Sequence, residues 1–192
     1  VKGNFGTKYK LKFILTQNYF MLDTIENIPD AKDLWQSPDE RREINKVLSK
    51  PRKVYVTRKV HFNAAHRLFN PNFSDEKNCE VYDICNNFYG HGHNYDLEVT
   101  LTGIVEKETG YLFDLKILKK ILEEEIISKV DHKHLNFDVE MFRDTVPTAE
   151  VIAVVFWEVI NEKLKQLNLK GIDLYEVKVF ESERNFVVYR GE

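Results

Sequence analysis

An α+β domain, with a four-stranded antiparallel sheet and two helices on one of its faces, is the architecture this sequence predicts. Three observations carry it. Two segments near the middle alternate apolar with polar residues, two later segments repeat apolar residues at helical spacing, and two short alternating segments close the chain. The order β-β-α-α-β-β contains no internal repeat, and it favours strands that pair antiparallel under one helical layer.

Residues 1–50 read as an N-terminal extension without sustained period, and residues 51–192 as the folded domain. The first 22 residues hold Lys2, Lys8, Lys10 and Lys12 and no acid. An acid-poor start can belong to an organelle transit peptide, but arginine is absent there too and the apolar run is weak. The cytoplasm is therefore the expected compartment, with organelle targeting by the extension as the alternative. Within the extension, Ser37-Pro38-Asp39-Glu40 offers a capping serine, a proline at the first helical position and a glutamate three residues after the cap. Ile44, Val47 and Leu48 then share a face and Pro51 stops the run, which predicts a short helix over 38–49.

From Val54 the pattern sharpens. Val54, Val56, Val60, Phe62 and Ala64 share one parity, with Arg58 as the exception, and predict a half-buried strand reaching His66. A polar loop is expected from Asn70 to Tyr89. His91, His93, Tyr95, Leu97, Val99 and Leu101 then alternate with Asn94, Asp96, Glu98 and Thr100, a second strand with both histidines on its core face. Thr109-Gly110 makes a turn, and Asp114 caps a helix whose Leu115, Leu118, Ile121, Leu122 and Ile126 face inward. Asp131–Asn136 reads as a loop. Pro147-Thr148 opens a second helix carrying Ile152, Val155, Phe156, Val159 and Ile160. Tyr175, Val177, Val179 and Glu181 alternate on a third strand, Ser182–Asn185 turns, and Phe186–Arg190 is extended again.

Composition narrows the functional classes. Lys plus Arg number 28 against 31 Asp plus Glu, a net charge of −3, which argues against a general nucleic-acid binder. No window approaches the roughly 20 apolar residues that span a bilayer. Two cysteines, Cys79 and Cys85, are too few for a disulfide scaffold, so a reducing compartment is expected.

The histidines carry the chemistry. On a strand, His91 and His93 lie on the same face, near enough for both rings to reach one ion. Gly90 and Gly92 remove side chains that would crowd them. His66, at the end of the first strand, can supply a third nitrogen if the two strands are neighbours, and Cys85 is the alternative, since thiolates suit zinc equally well. Three imidazoles with an open fourth position form a catalytic zinc arrangement. Asp131-His132 offers a carboxylate that orients an imidazole, against the plainer reading of a solvated loop pair. Glu181 is an acid on an apolar strand face, either a ligand contact or a strand end that has reached solvent.

Together, Phe62-Asn63-Ala64-Ala65-His66-Arg67, Cys85-Asn86-Asn87, Gly90-His91-Gly92-His93-Asn94-Tyr95, Asp131-His132-Lys133 and Val177-Lys178-Val179-Phe180-Glu181 resemble the 6-pyruvoyl-tetrahydropterin synthase family over about residues 54–192. The resemblance implies the tunnelling fold, in which such subunits join sheets into a barrel, as a homohexamer of two trimers with intersubunit active sites. It implies a zinc-dependent lyase that converts 7,8-dihydroneopterin triphosphate to 6-pyruvoyl-tetrahydropterin in tetrahydrobiopterin biosynthesis, expelling triphosphate. Carried over, His66, His91 and His93 match the zinc ligands, Cys85 the general base, and Asp131 and His132 its partners. Glu181 matches the pterin anchor, while Glu150, following Thr148, lines the pterin pocket; Arg67 and Lys133 are candidates for the triphosphate. Thr148-Ala149-Glu150 lacks a hydroxyl where relatives often have a second threonine, and Phe88-Tyr89 stand where shorter or polar residues are common. The alternatives are a related 6-carboxy-tetrahydropterin synthase activity on the same substrate, or a catalytically silent zinc- or pterin-binding module.

Overall fold

The computed structural model describes the backbone of residues 13–16 and 19–22, Arg42, Lys46, and the chain from Ser49 to Glu192. Contacts divide the chain into two units, Val1–Ser49 and Lys50–Glu192. In the first, β1 (Phe13–Thr16) and β2 (Tyr19–Leu22) pair antiparallel, Phe13 opposite Leu22, a ladder that periodicity did not mark. Of the helix predicted over 38–49, Arg42 and Lys46 are helical, and the residues between and around them up to Leu48 lie outside the described residues.

The second unit is built on β3 (Lys53–His66) and β4 (His91–Ile104), antiparallel partners along their full fourteen residues. Both follow the predicted alternation, and β4 runs three residues further than expected. The chain between them contains α1 (Asp75–Tyr82) and a 3-10 turn, Asp83–Asn86, where a loop was expected. This helix is held by polar bonds rather than an apolar stripe. The Ser74 hydroxyl accepts from the Lys77 N–H, and the buried Asn78 amide donates to the carbonyls of Asn70 and Ser74.

Asp114 caps α2 (Leu115–Leu122) as predicted, its carboxylate accepting from the Lys116 N–H. The helix continues through a π turn, Glu123–Ile127, and a last turn, Ser128–Val130. Where a loop was expected, β5 (Lys133–His134) runs parallel to β3 at Ala64 and Ala65 and leads into α3 (Leu135–Asp138). Thr148 caps α4 (Ala149–Gln166), and the chain closes with β6 (Ile172–Phe180) and β7 (Phe186–Tyr189). The sheet order is β5-β3-β4-β6-β7, the four predicted strands plus a two-residue edge.

One strand face departs from expectation. Glu176 pairs with Thr100 but Leu174 pairs with Leu101, so Tyr175 bulges out of the ladder. The bulge switches the parity: Leu174, not Tyr175, joins Val177 and Val179 in the core, and Tyr175 packs edge-on against Tyr55 at 4.5 Å.

Both helices cover one sheet face. Leu118, Ile121, Leu122 and Ile126 from the first and Ile152, Phe156 and Ile160 from the second are buried with Val60, Phe62, Leu97 and Val179. Phe62 stacks on Tyr95 at 4.8 Å, while Phe156 meets Phe62 at 5.8 Å and Phe142 at 6.1 Å. Phe156 thus ties the sheet to the segment entering α4. Phe156→Ala should destabilise the protein by about 3–5 kcal/mol in urea unfolding, the cost of a large cavity in a closed core. A loss below about 1 kcal/mol would mean that the site collapses around the deletion.

Candidate active site

The β3–β4 register assembles the histidines. His66 stands directly opposite His91, and His93 stands opposite Ala64, whose methyl leaves room for a ring. The three ligand nitrogens lie within 4.8 Å of one another, so all three can hold a metal ion. His66 Nε2 is 3.1 Å from His91 Nε2.

Local bonds prepare these rings. His66 is 1% exposed, and its Nδ1 lies 2.7 Å from the carbonyl of Pro147, just before α4. A carbonyl only accepts, so Nδ1 carries the proton and the neutral ring turns the Nε2 lone pair toward His91 and His93. His93 Nε2 and His91 Nδ1 are buried without a hydrogen bond. A buried His93 Nε2 without a partner, beside the Nε2 atoms of His66 and His91, fits a cation held by the three rings. The sequence left His66 and Cys85 as alternative third ligands, and the geometry gathers His66.

Of the two glycines flanking the pair, one is obligatory. Gly90 has φ +73°, and a Cβ there would come within 2.5 Å of the His66 carbonyl oxygen and 2.7 Å of His134 Nε2. At Gly92 a Cβ would make an ordinary 3.4 Å contact with the Ala64 carbonyl.

A cavity of about 680 Å³ opens beside the histidines, lined by Thr148, Glu150, Glu181, Arg184 and Phe186 among others. All three residues expected at the pterin therefore share one wall. The Thr148 hydroxyl already accepts from the Val151 N–H at 3.3 Å, leaving its own proton to donate. Glu181 continues the inward parity of Val177 and Val179, and its Oε1 lies 3.6 Å from both His66 Nε2 and His93 Nε2.

Asp131 and His132 form a bonded pair, anchored to the backbone of Asn63 and open to solvent on the His132 side. Asp131 Oδ1 accepts from the Asn63 N–H at 2.8 Å, and Oδ2 lies 2.9 Å from His132 Nδ1. The Asn63 amide holds the Asp131 carboxyl below its ordinary range, with His132 adding to the effect. His132 also donates its N–H to the Asn63 carbonyl at 2.6 Å, and its backbone sits at φ +57°, a conformation that non-glycine residues adopt sparingly. With Nδ1 donating to Asp131, Nε2 is left as the base, on a side chain 77% exposed. His132 and Lys133 line a recess of about 390 Å³ with Asn63, Ala65 and His93.

Cys85 is half-buried in the 3-10 turn, its carbonyl accepting from the Leu68 N–H at 2.9 Å. Among the described residues no hydrogen bond joins it to Asp131 or His132, and it lines neither cavity. Arg67, read as a triphosphate candidate, is engaged elsewhere. Its Nε and Nη2 donate to Asn86 O and Oδ1 at 3.0 and 2.9 Å, and its guanidinium lies over Phe69 and Phe88. It clamps the Cys85 turn onto the end of β3, a task that no periodicity or spacing signalled. Lys133 reaches back to the Ser128 carbonyl at 3.5 Å. The basic side chain in the wall of the larger cavity is Arg184, which the sequence did not single out.

Burial lowers the His66 pKa from 6.5 to about 4, the Pro147 carbonyl opposing the shift and the neighbouring histidines adding to it. Burial lowers His93 too, against the pull of Glu181. An unfolded His66 takes up its proton near pH 6.5 and the folded ring near pH 4, so acid favours the unfolded chain across that interval. The metal-free protein should lose about 3 kcal/mol through His66 as pH falls from 6.5 to 4, read as a drop in the urea midpoint. His66→Gln should flatten that dependence; a variant as acid-sensitive as wild type would contradict it.

The sequence pattern of 6-pyruvoyl tetrahydropterin synthases matches residues 55–192. A 6-pyruvoyl tetrahydrobiopterin synthase of Drosophila melanogaster is 44% identical over 138 residues, covering 72% of this chain and 80% of its own. The Homo sapiens protein of that name is 44% identical over 140 residues, covering 73% and 93%. The structure of Caenorhabditis elegans 6-pyruvoyl tetrahydropterin synthase superposes with a TM-score of 0.68 at 37% identity, covering 73% of this chain and 97% of that one. A pattern matched to the last residue, and a fold shared at this identity, leave one conclusion: the chain belongs to the 6-pyruvoyl tetrahydropterin synthase family.

Proposed function

We propose that this protein is a zinc-dependent lyase converting 7,8-dihydroneopterin triphosphate to 6-pyruvoyl-tetrahydropterin with loss of triphosphate. One observation supports this reading above the rest. The acid-walled cavity and the three histidines meet at Glu181, so a pterin held in the cavity presents its side chain to the ion site.

His66, His91 and His93 would hold the zinc, which supplies Lewis acidity to the hydroxyls of the substrate side chain. The chain's own groups do the rest. Glu150 and Glu181 accept hydrogen bonds from the ring N–H groups of the pterin, and Thr148 donates from its hydroxyl. Ala149 supplies no hydroxyl, so the missing contact falls to backbone groups. Cys85 takes the side-chain proton as general base, and His132, oriented by Asp131, takes the thiol proton.

That last transfer needs Cys85 beside His132, and no bond joins them within this chain. We assign the pair to neighbouring copies in a homo-oligomer, a hexamer of two trimers with intersubunit sites. The outward Nε2 of His132 is placed for this. Residues 1–50 lie outside the family match and are assigned no catalytic role.

The zinc-loaded protein given dihydroneopterin triphosphate should release triphosphate and a pyruvoyl pterin. Loss of a two-carbon fragment would identify the carboxy-pterin activity instead, and zinc binding without turnover a silent module. Cys85→Ala and His132→Ala should each be inactive alone, yet dissociating and reassembling a mixture should restore about a quarter of wild-type activity, the share of sites that draw both intact residues. A mixture as inactive as its parts would place Cys85 and His132 in one chain's site.

A further inference from the structure

Among the described residues lining the larger cavity with Thr148, Glu150 and Glu181, Arg184 alone is basic. A tight turn fixes where its side chain starts. The Glu181 N–H donates to the Asn185 carbonyl at 3.0 Å, and the Ser182 hydroxyl accepts from the N–H groups of Arg184 and Asn185 at 3.3 and 3.1 Å. The base of Arg184 is thereby tied to the strand end that carries the Glu181 carboxylate. Among the described residues its guanidinium has no ion pair, whereas Arg190, at the far end of β7, pairs with Glu176 at 2.8 Å.

This wall is rich in acceptors and poor in side-chain donors. Glu150 and Glu181 bring only acceptors, Thr148 one hydroxyl proton, and Ala149 no polar side-chain atom. The edge of a pterin needs both kinds: its 2-amino group and N3–H donate, and the C4 oxygen beside N3 accepts. A carboxylate that takes the N3–H draws the C4 oxygen against the same wall. An acceptor shut away from water there without a donor weakens binding. A guanidinium answers that need with five N–H groups and a permanent charge, and a charge-assisted bond is the stronger kind. Position favours the ring over the triphosphate as its target. Arg184 shares a wall with the ring's partners, while the triphosphate lies beyond the side chain that reaches the histidines.

We propose that Arg184 determines ring specificity, donating to the C4 oxygen of the pterin while Glu181 accepts from the neighbouring N–H groups. The proposal rests on the pterin reading above. Acid and base together then distinguish a 2-amino-4-oxo ring from its 4-amino counterpart, because an amino group at C4 would set N–H against the N–H of the guanidinium. The same cation offsets one of the two carboxylate charges that the wall presents to a neutral ring.

Calorimetric titration of the zinc-loaded full chain with three probes tests this without turnover: 7,8-dihydroneopterin, which carries no phosphate, its 4-amino counterpart, and inorganic triphosphate. Arg184 is exposed on a turn, so its variants keep the fold. Arg184→Ala should weaken dihydroneopterin binding by about ten- to a hundredfold, the worth of a hydrogen bond to a charged group. It should not weaken binding of the 4-amino compound, and it should leave the affinity for inorganic triphosphate unchanged. Arg184→Lys, which keeps the charge without the planar fork, should recover part of the loss. Unchanged dihydroneopterin affinity in Arg184→Ala, or an equal loss for the 4-amino compound, would overturn the proposal. A loss confined to inorganic triphosphate would also overturn it, by assigning Arg184 to the phosphates. A wild-type chain that binds no dihydroneopterin would overturn the pterin reading itself, and this contact with it.

Discussion

The fourteen-residue pairing of β3 with β4 constrains where every reactive group near the histidines can stand, because side chains alternate faces with a period of two. A slip of one residue would turn His91 and His93 to the opposite face and set His66 against Gly92 or Gly90. The slip is resisted along the whole ladder. Phe62, Tyr95, Leu97 and Val99 would leave the core with the histidines, so the hydrophobic layer under α2 and α4 fixes the register that the site needs. Core and chemistry occupy one strand face, and neither can move alone.

Around this frame, each proposed ligand or catalytic group is anchored by a specific polar contact. His66 is oriented by the carbonyl preceding α4, Asp131 and His132 by both polar groups of Asn63, and the Cys85 turn by Arg67 through Asn86. Backbone donors and acceptors are good supports because secondary structure has already fixed their directions. Arg67 and His66 are adjacent in β3 and its end, so the thiol and the proposed metal site share a support one peptide unit long.

Much of this was legible from residue order. Alternation located β3 and β4, helical spacing and the caps Asp114 and Thr148 located α2 and α4, and the His-x-His spacing put two rings on one face. What escaped had physical reasons. The helix α1 carries no apolar stripe, being tied by Asn78 and a serine cap, although Ser74 followed by Asp75 and Glu76 was a readable start signal. The bulge at Tyr175 exchanged two residues between faces, which alternation alone cannot reveal. The nearness of Glu181 to the histidines depends on the register of β6 against β4, set by tertiary pairing. The clamp by Arg67 joins groups nineteen residues apart through a loop, where no repeat exists to read.

The π turn in α2 governs the direction in which the chain leaves the helix. Leu118 and Leu122 precede it, Ile126 lies within it and Val130 follows, at successive steps of four and all buried. On a regular α-helix, steps of four drift around the axis, and the wider turn absorbs that drift so that the inward stripe stays straight. The extra residue works as a phase correction, and the Asp131–His132 pair lies immediately downstream of it. A relative lacking one residue in this turn could keep a perfectly good helix, but the helix would deliver its acid–imidazole pair about a hundred degrees away from Asn63. In this chain the length of that single turn therefore decides whether the pair meets the sheet edge, something residue identity at the two positions does not supply.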